Sequence, residues 1–208
     1  LVATKDVAEK LVQIGVCREN IYVRGIPMKK VFYQLSGKAI HRKKGNNLLI
    51  MGGGLGILPW VDYVLDYLCE YPELNINIIA GNNKKLYHHL KNKYPFVTVV
   101  GFTDQVSSYL ADADLLISKP GGVTLFESIY DTTPCVAMLP TYQHELENAD
   151  FIQKHQIGQV IWDKHTAPQQ ILELLENNDL RRKYRANMIR VKWEVETAKQ
   201  QRKRGYYE

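Results

Sequence analysis

Residues 115–140, LLISKPGGVTLFESIYDTTPCVAMLP, read as a strand, a glycine turn, a helix and a second strand. Leu115–Ser118 is a short unbroken apolar run, the pattern of a strand buried on both faces. Lys119-Pro120-Gly121-Gly122 interrupts it, Val123–Tyr130 follows as a helix, and Cys135–Leu139 is apolar again. That order makes a βαβ unit, whose two strands run parallel. A helix opening on glycines can bring its free N–H groups against an anion, because no Cβ blocks the approach. Glu127 lies a few residues beyond the turn. Its carboxylate could accept hydrogen bonds from two vicinal hydroxyls, as on a ribose, or simply complement the helix dipole.

The same unit recurs outward from this stretch. Asn47–Met51 is a buried-strand run leading into Gly52-Gly53-Gly54-Leu55-Gly56. Pro59 suits a helix's first turn, and Val61, Val64, Leu65 and Leu68 recur at helical spacing. Strands are expected at Asn75–Ala80, Val97–Val100 and Gln159–Ile161, and helices at Lys84–Lys93, Gln105–Leu110, Glu145–His155 and Pro168–Glu176. About six strands interleaved with helices, joined by right-handed crossovers, imply an α/β, Rossmann-like, doubly wound parallel sheet. Leu1–Gly15 reads as a helix, Ile21–Val23 as a short strand, and the basic, polar Ser36–Lys44 as a loop. The chain thus divides into a lead-in segment, 1–45, the main domain, 46–178, and a basic carboxyl-terminal helix and tail, 179–208.

Composition narrows the function classes. The 208 residues are 45% hydrophobic and 24% charged, the balance of a soluble domain. No apolar run approaches the ~20 residues that cross a bilayer. Leu1-Val2-Ala3 reads as a start in mid-protein, so a fragment or excised domain is expected. Cys17, Cys69 and Cys135 form no CxxC, which argues against a zinc knuckle or redox pair and fits a reduced, cytosolic setting. A net charge of +5 suits an anionic partner without choosing among nucleotide, phospholipid and nucleic acid. A dinucleotide site wants G-x-G-x-x-G and an acid near the end of the second strand. Here Pro59 takes the third glycine's place and the strand ends in Ala80-Gly81-Asn82. NAD is therefore not expected, and no Gly-Lys-Ser/Thr supports a Walker loop.

The segment SKPGGVTLFESIYDTTPCVAMLP resembles the nucleotide-sugar site of family 28 glycosyltransferases, which include bacterial diacylglycerol glucosyltransferases and plant monogalactosyldiacylglycerol synthases. The resemblance covers nearly the whole chain. Thr4–Val31, with VAEKLVQIGVCRENIYVRGIPMKKV, is similar to the family's crossing into its second domain. MGGGLG resembles the phosphate loop, and VVGFTDQVSSYLADADLLISKPGG the uracil-contact loop and next strand. The resemblance implies the carboxyl-terminal domain of a two-domain (GT-B) enzyme that moves a hexose from a UDP-sugar to a membrane lipid. It places Glu127 on the ribose and Gly122, Val123 and Thr124, with Gly121, beside the diphosphate. Gly53, Gly54 and Leu55 fall in the phosphate loop. Phe102 and Thr103 would offer backbone groups to the uracil edge, and Glu147 and Asn148 would approach the donor sugar, with Glu145 nearby.

Two departures from the family pattern bear on the donor. Lys29 stands where an arginine is usual, turning a bidentate clamp into a point charge. In Pro140-Thr141-Tyr142-Gln143-His144-Glu145, either Gln143 or His144 could take the place of the family's glutamine. The resemblance further implies no cofactor and no tightly bound metal, since the UDP-sugar is a substrate. Catalytic residues and the lipid-acceptor pocket are expected in an amino-terminal domain. It also implies a cytoplasmic, peripheral location at the membrane's inner face and no nucleic-acid partner. Two rivals remain at this level: a UDP-sugar 2-epimerase, for which Glu145 and His144 could serve in the cleft, and a non-catalytic nucleotide-sugar sensor.

Other features have plainer readings. Asp112-Ala113-Asp114 matches a metal-binding D-x-D but precedes a strand, at the edge opposite the ligand loops. His88 and His89 are adjacent and so diverge on a helix, unlike a metal pair. Trp60, Trp162 and Trp193 suggest core or partner packing. In 179–204, Tyr184, Met188, Val191, Val195 and Ala198 form one apolar stripe. Arg181, Arg182, Lys183, Arg185, Arg190 and Lys192 fall largely elsewhere, as a solvated face or one attracted to anionic lipid.

Overall fold

The computed structural model describes the backbone of residues 1–34 and 46–204, with side chains through Lys199. Helices α1 (Lys5–Gln13) and α2 (Lys30–Gln34) precede the sheet domain. There β1 (Asn47–Met51), α3 (Val61–Leu68), β2 (Asn75–Ile79), α4 (Lys84–Lys93), β3 (Thr98–Val100) and α5 (Val106–Asp112) form the first half. The second half holds β4 (Leu115–Ser118), α6 (Gly122–Asp131), β5 (Cys135–Met138), α7 (Gln143–His155), β6 (Gly158–Ile161), α8 (Ala167–Glu176) and α9 (Asn178–Arg204).

All six strands are parallel, in the order β3-β2-β1-β4-β5-β6. Strand order reverses between β1 and β4, which pair from Leu48↔Leu115 to Met51↔Ser118. In a doubly wound sheet that reversal opens a crevice at the strands' carboxyl ends. Alternation along each strand feeds two apolar layers. Leu48 and Ile50 pack with Val61, Leu65 and Leu90 on one side, Leu49 and Met51 with Leu110, Phe126 and Met188 on the other. Burial on both faces explains why these strands are continuous apolar runs.

Most expected elements appear within two residues, and the differences have local causes. The first helix spans only Lys5–Gln13, because the Thr4 side chain caps it at Val7 N and Gly15 (φ +94°) turns the chain away. Ile21–Val23 is no strand: a 3-10 turn, Arg18–Asn20, leads to a lone bridge between Val2 and Val23. Pro59 precedes its helix, which begins at Val61. Helix α7 starts at Gln143, so Gln143 and His144 belong to its first turn. The Ser36–Lys44 loop lies outside the described residues.

Helix α9 docks through Met188, Val191 and Val195, as the apolar stripe predicts. Arg181 departs from the expected outer face. It is buried and donates to the Leu175 carbonyl and the Asn178 side chain, closing the carboxyl end of α8. Arg185 also turns inward, 3.8 Å from Asp114. The lead-in segment is pinned by Asp6, which pairs with Lys154 and accepts from His155 at 3.0 Å.

Candidate functional site

Two turns flank the crevice. The first, Gly52–Gly56, folds back on itself through Gly56 N–H to the Gly53 carbonyl at 3.1 Å and Ile57 N–H to the Gly52 carbonyl at 3.1 Å. Gly56 is left-handed (φ +60°), and a Cβ there would strike the Ala80 carbonyl. Its carbonyl accepts from the Asn83 amide at 3.0 Å, and the Gly54 carbonyl accepts from Asn82 N–H at 3.0 Å. The turn after β2 thus leans on the glycine loop, where a dinucleotide enzyme would place its ribose-binding acid.

Gly54 and Gly121 differ in kind from Gly56. Neither has a positive φ, and a Cβ on either would meet nothing within 4 Å. Internal packing does not demand glycine at these points; a ligand lying against the backbone would. Helix α6 starts beside Gly121 with no side-chain cap. Among the described residues, Gly122, Val123 and Thr124 N–H make no backbone hydrogen bond, since the first helical one is Leu125 N–H to the Gly121 carbonyl, at 2.9 Å. Three open donors at a helix N-terminus suit a phosphate group.

Glu127 lies one to two turns along α6 and is only 9% exposed. It makes no hydrogen bond or ion pair among the described residues. Burial pushes its carboxyl up to about 7, opposed by the nearby Lys29 charge. An unpaired buried carboxylate is costly, so this one is poised to gain from hydroxyl donors. Lys29 arrives from the lead-in segment, whose Ile26 packs on the α6 N-terminus 2.9 Å from where a Gly122 Cβ would stand. The Lys29 ammonium pairs with Asp104, in the loop after β3. In that loop Phe102 is exposed, and the N–H groups of Phe102 and Thr103 make no backbone hydrogen bond among the described residues.

The loop after β5 forms the third wall. Leu139 takes φ +44°, a strained value for a γ-branched residue, as the chain turns towards α7. Glu145 holds this turn. Its carboxylate accepts from Thr141 N–H at 2.9 Å and Tyr142 N–H at 3.3 Å, and lies 3.5 Å from the Lys119 ammonium. Burial raises its pKa, but those hydrogen bonds and that charge outweigh it and hold the carboxyl below its usual value. Glu145 therefore braces two loops. Asn148 adds a tie, its amide donating to the Pro120 carbonyl at 2.8 Å. Gln143, His144 and Glu147 are exposed; Gln143 donates to Glu147 at 3.3 Å, and His144 stacks on Tyr142.

The structure therefore gathers Lys29, the glycine loops, Glu127, Phe102–Thr103 and the α7 N-terminus around one crevice. Sequence reasoning gave no role to Lys119, Tyr142 or Asp104. Lys119 stood inside the quoted S-K-P-G-G turn, but only coordinates reveal its contacts with Glu145 and the Tyr142 ring. Asp114 lies at the opposite sheet edge, accepting from Asn47 N–H at 3.1 Å, so the D-x-D does not reach the crevice. His89 pairs with Asp62 at 2.7 Å on the surface. The described residues contain no cluster of three or more His, Cys, Asp or Glu placed to hold a metal.

Comparison with known proteins agrees with this fold. A family model described as glycosyltransferase family 28 C-terminal domain matches residues 47–204. The processive diacylglycerol beta-glucosyltransferase of Staphylococcus carnosus is 29% identical over 188 residues, 86% of this chain and 48% of that protein. That of Bacillus subtilis is 27% identical over 197 residues, 90% and 52%. The chain spans about half the length of the curated relatives it matches. In fold it is similar to TarM of Staphylococcus aureus, solved with UDP (TM-score 0.65, 19% identity, 96% of this chain and 42% of that one). It also resembles MurG of Acinetobacter baumannii (TM-score 0.58, 20% identity, 85% and 54%).

Proposed function

Because the chain belongs to the glycosyltransferase family 28 C-terminal domain family, we propose that it is the donor-binding half of a UDP-sugar-dependent hexosyltransferase acting on a membrane lipid such as diacylglycerol. The observation that carries this reading is the crevice at the β1/β4 switch, with an uncapped helix N-terminus above a buried, unpaired Glu127. The diphosphate rests on Gly122, Val123 and Thr124 N–H and against the open faces of Gly54 and Gly121. Glu127 accepts from the ribose hydroxyls, and Phe102 and Thr103 N–H meet the uracil edge.

Gln143, His144, Glu147 and Asn148 face the hexose, in a turn that Glu145 keeps in shape. Fixed donors aimed at the departing diphosphate stabilise charge where catalysis needs it. Lys29 adds a positive charge, and the reaction so described calls for no resident metal. The acceptor and the catalytic base belong to the other half of the enzyme, which acts peripherally at a cytoplasmic membrane surface. The relatives' names make glucose the first hexose to try.

Transfer assays with UDP-glucose and diacylglycerol vesicles test this. The chain alone should bind UDP-glucose and transfer nothing, whereas a longer protein containing both halves should glucosylate the lipid. A chain that ignores UDP-glucose, or that transfers glucose unaided, contradicts the proposal.

A further inference from the structure

Between Arg181 and Lys199, the exposed residues of α9 are Arg182, Lys183, Ala186, Ile189, Arg190 and Trp193. Three are cations, two are large and apolar, and none is acidic. Residues 182, 186, 189, 190 and 193 are three to four apart and share one helical face. The opposite face is the buried Met188, Val191 and Val195. Trp193 is 66% exposed and Ile189 47%, one turn apart.

The two carboxylates between Arg181 and Lys199 are directed away from the stripe. Glu196 accepts from Tyr130 and pairs with Lys199 at 2.7 Å, and Glu194 lines a small cavity with Thr4 and Asp6. Asp179, at the helix's amino end, lies 3.6 Å from Arg182. The stripe therefore keeps a net positive charge around an apolar centre.

We propose that this stripe is a docking surface for a bilayer bearing anionic headgroups. A helix lying in the interface needs apolar side chains towards the acyl boundary and cations level with the phosphates. Trp193 has the required shape, an apolar body with one polar N–H. Arg182, Lys183 and Arg190 supply the headgroup contacts, and arginine's fork pairs with phosphate through two hydrogen bonds. The charge of the stripe, complementary to an anionic surface, selects this occupant. The inference goes beyond the donor site and does not depend on it.

Cosedimentation with vesicles tests it, using the whole chain in a Trp162→Phe background so that Trp193 is the exposed fluorophore. Binding to phosphatidylglycerol-rich vesicles, absent with pure phosphatidylcholine, is expected, together with a blue shift of Trp193 emission. Replacing Arg182 and Arg190 by Glu should weaken vesicle binding by ~10-fold or more, because each cation near an anionic surface is worth about fivefold. Trp193→Ser should weaken cosedimentation with the anionic vesicles by roughly 10-fold. Both variants should keep the parent's melting temperature and UDP affinity, so failure of the donor reading would show separately, as a parent that does not bind UDP. No preference for anionic vesicles, unaltered binding in either variant, or equally tight binding to heparin, a polyanion without a bilayer, overturns the proposal.

Discussion

Glu127 is the residue on which the proposed donor site turns, and its environment makes opposite predictions for binding and for stability. As a charged acceptor for two ribose hydroxyls it should contribute about 1.5–3 kcal/mol per bond. Glu127→Gln should therefore weaken UDP by ~10-fold or more, at about 1.4 kcal/mol per decade. Its folded pKa, about 7, lies above the ordinary 4.5, so its protonated form is the one the fold prefers. Stability is thus fully present below the unfolded value and is lost as pH rises through about 7. Glu127→Gln should melt higher than the parent at pH 8 and match it near pH 4. UDP affinity of the parent should rise between pH 6 and 8 relative to the variant. A variant that binds UDP normally, or melts lower at pH 8, would assign Glu127 to the helix dipole alone. The sequence made Glu127 legible through its distance from the turn. It could not separate Glu127 from Glu145: both are buried acids near helix starts, and only the partners of Glu145 mark it as a brace.

At the scale of elements, the glycine loops separate packing from ligand contact. Gly56→Ala should cost roughly 3 kcal/mol or more, from a left-handed backbone and a clash with Ala80. Gly54→Ala and Gly121→Ala should change stability by ~1 kcal/mol or less, yet weaken UDP ~10-fold or more by filling the cradle. Melting curves and titrations on the three variants check this, and a destabilised Gly54→Ala that still binds UDP would refute it. At the other sheet edge, Asp114→Ala removes the carboxylate 3.8 Å from Arg185 and takes away the acceptor of Asn47 N–H. It should lose about 1–3 kcal/mol of stability, while UDP affinity stays the same with or without EDTA. A Mn²⁺-dependent affinity abolished by Asp114→Ala would return the D-x-D to the site. Buried strands were legible because two-sided burial forces continuous apolar runs. Helix ends were less so, because capping by Thr4 and the turn held by Glu145 set them through contacts that spacing does not encode.

For the molecule as a whole, alternating strands and helices announced a doubly wound sheet. The strand order did not follow from that pattern, and it is the order that brings the two glycine turns to one crevice between β1 and β4. The sequence argued against NAD on the missing third glycine and the missing acid after β2. A Cβ on Gly81, after β2, would strike the Gly53 and Gly54 carbonyls, so this turn lies close against the glycine loop and offers no acid to a dinucleotide's ribose. The open N–H groups of the α6 N-terminus and the Glu127 carboxylate lie instead on the β4 side. Calorimetric titration of the chain with UDP and with NAD is the most direct test of that assignment. Saturable heat from UDP and none from NAD is the predicted result; tight NAD binding with no heat from UDP would contradict it.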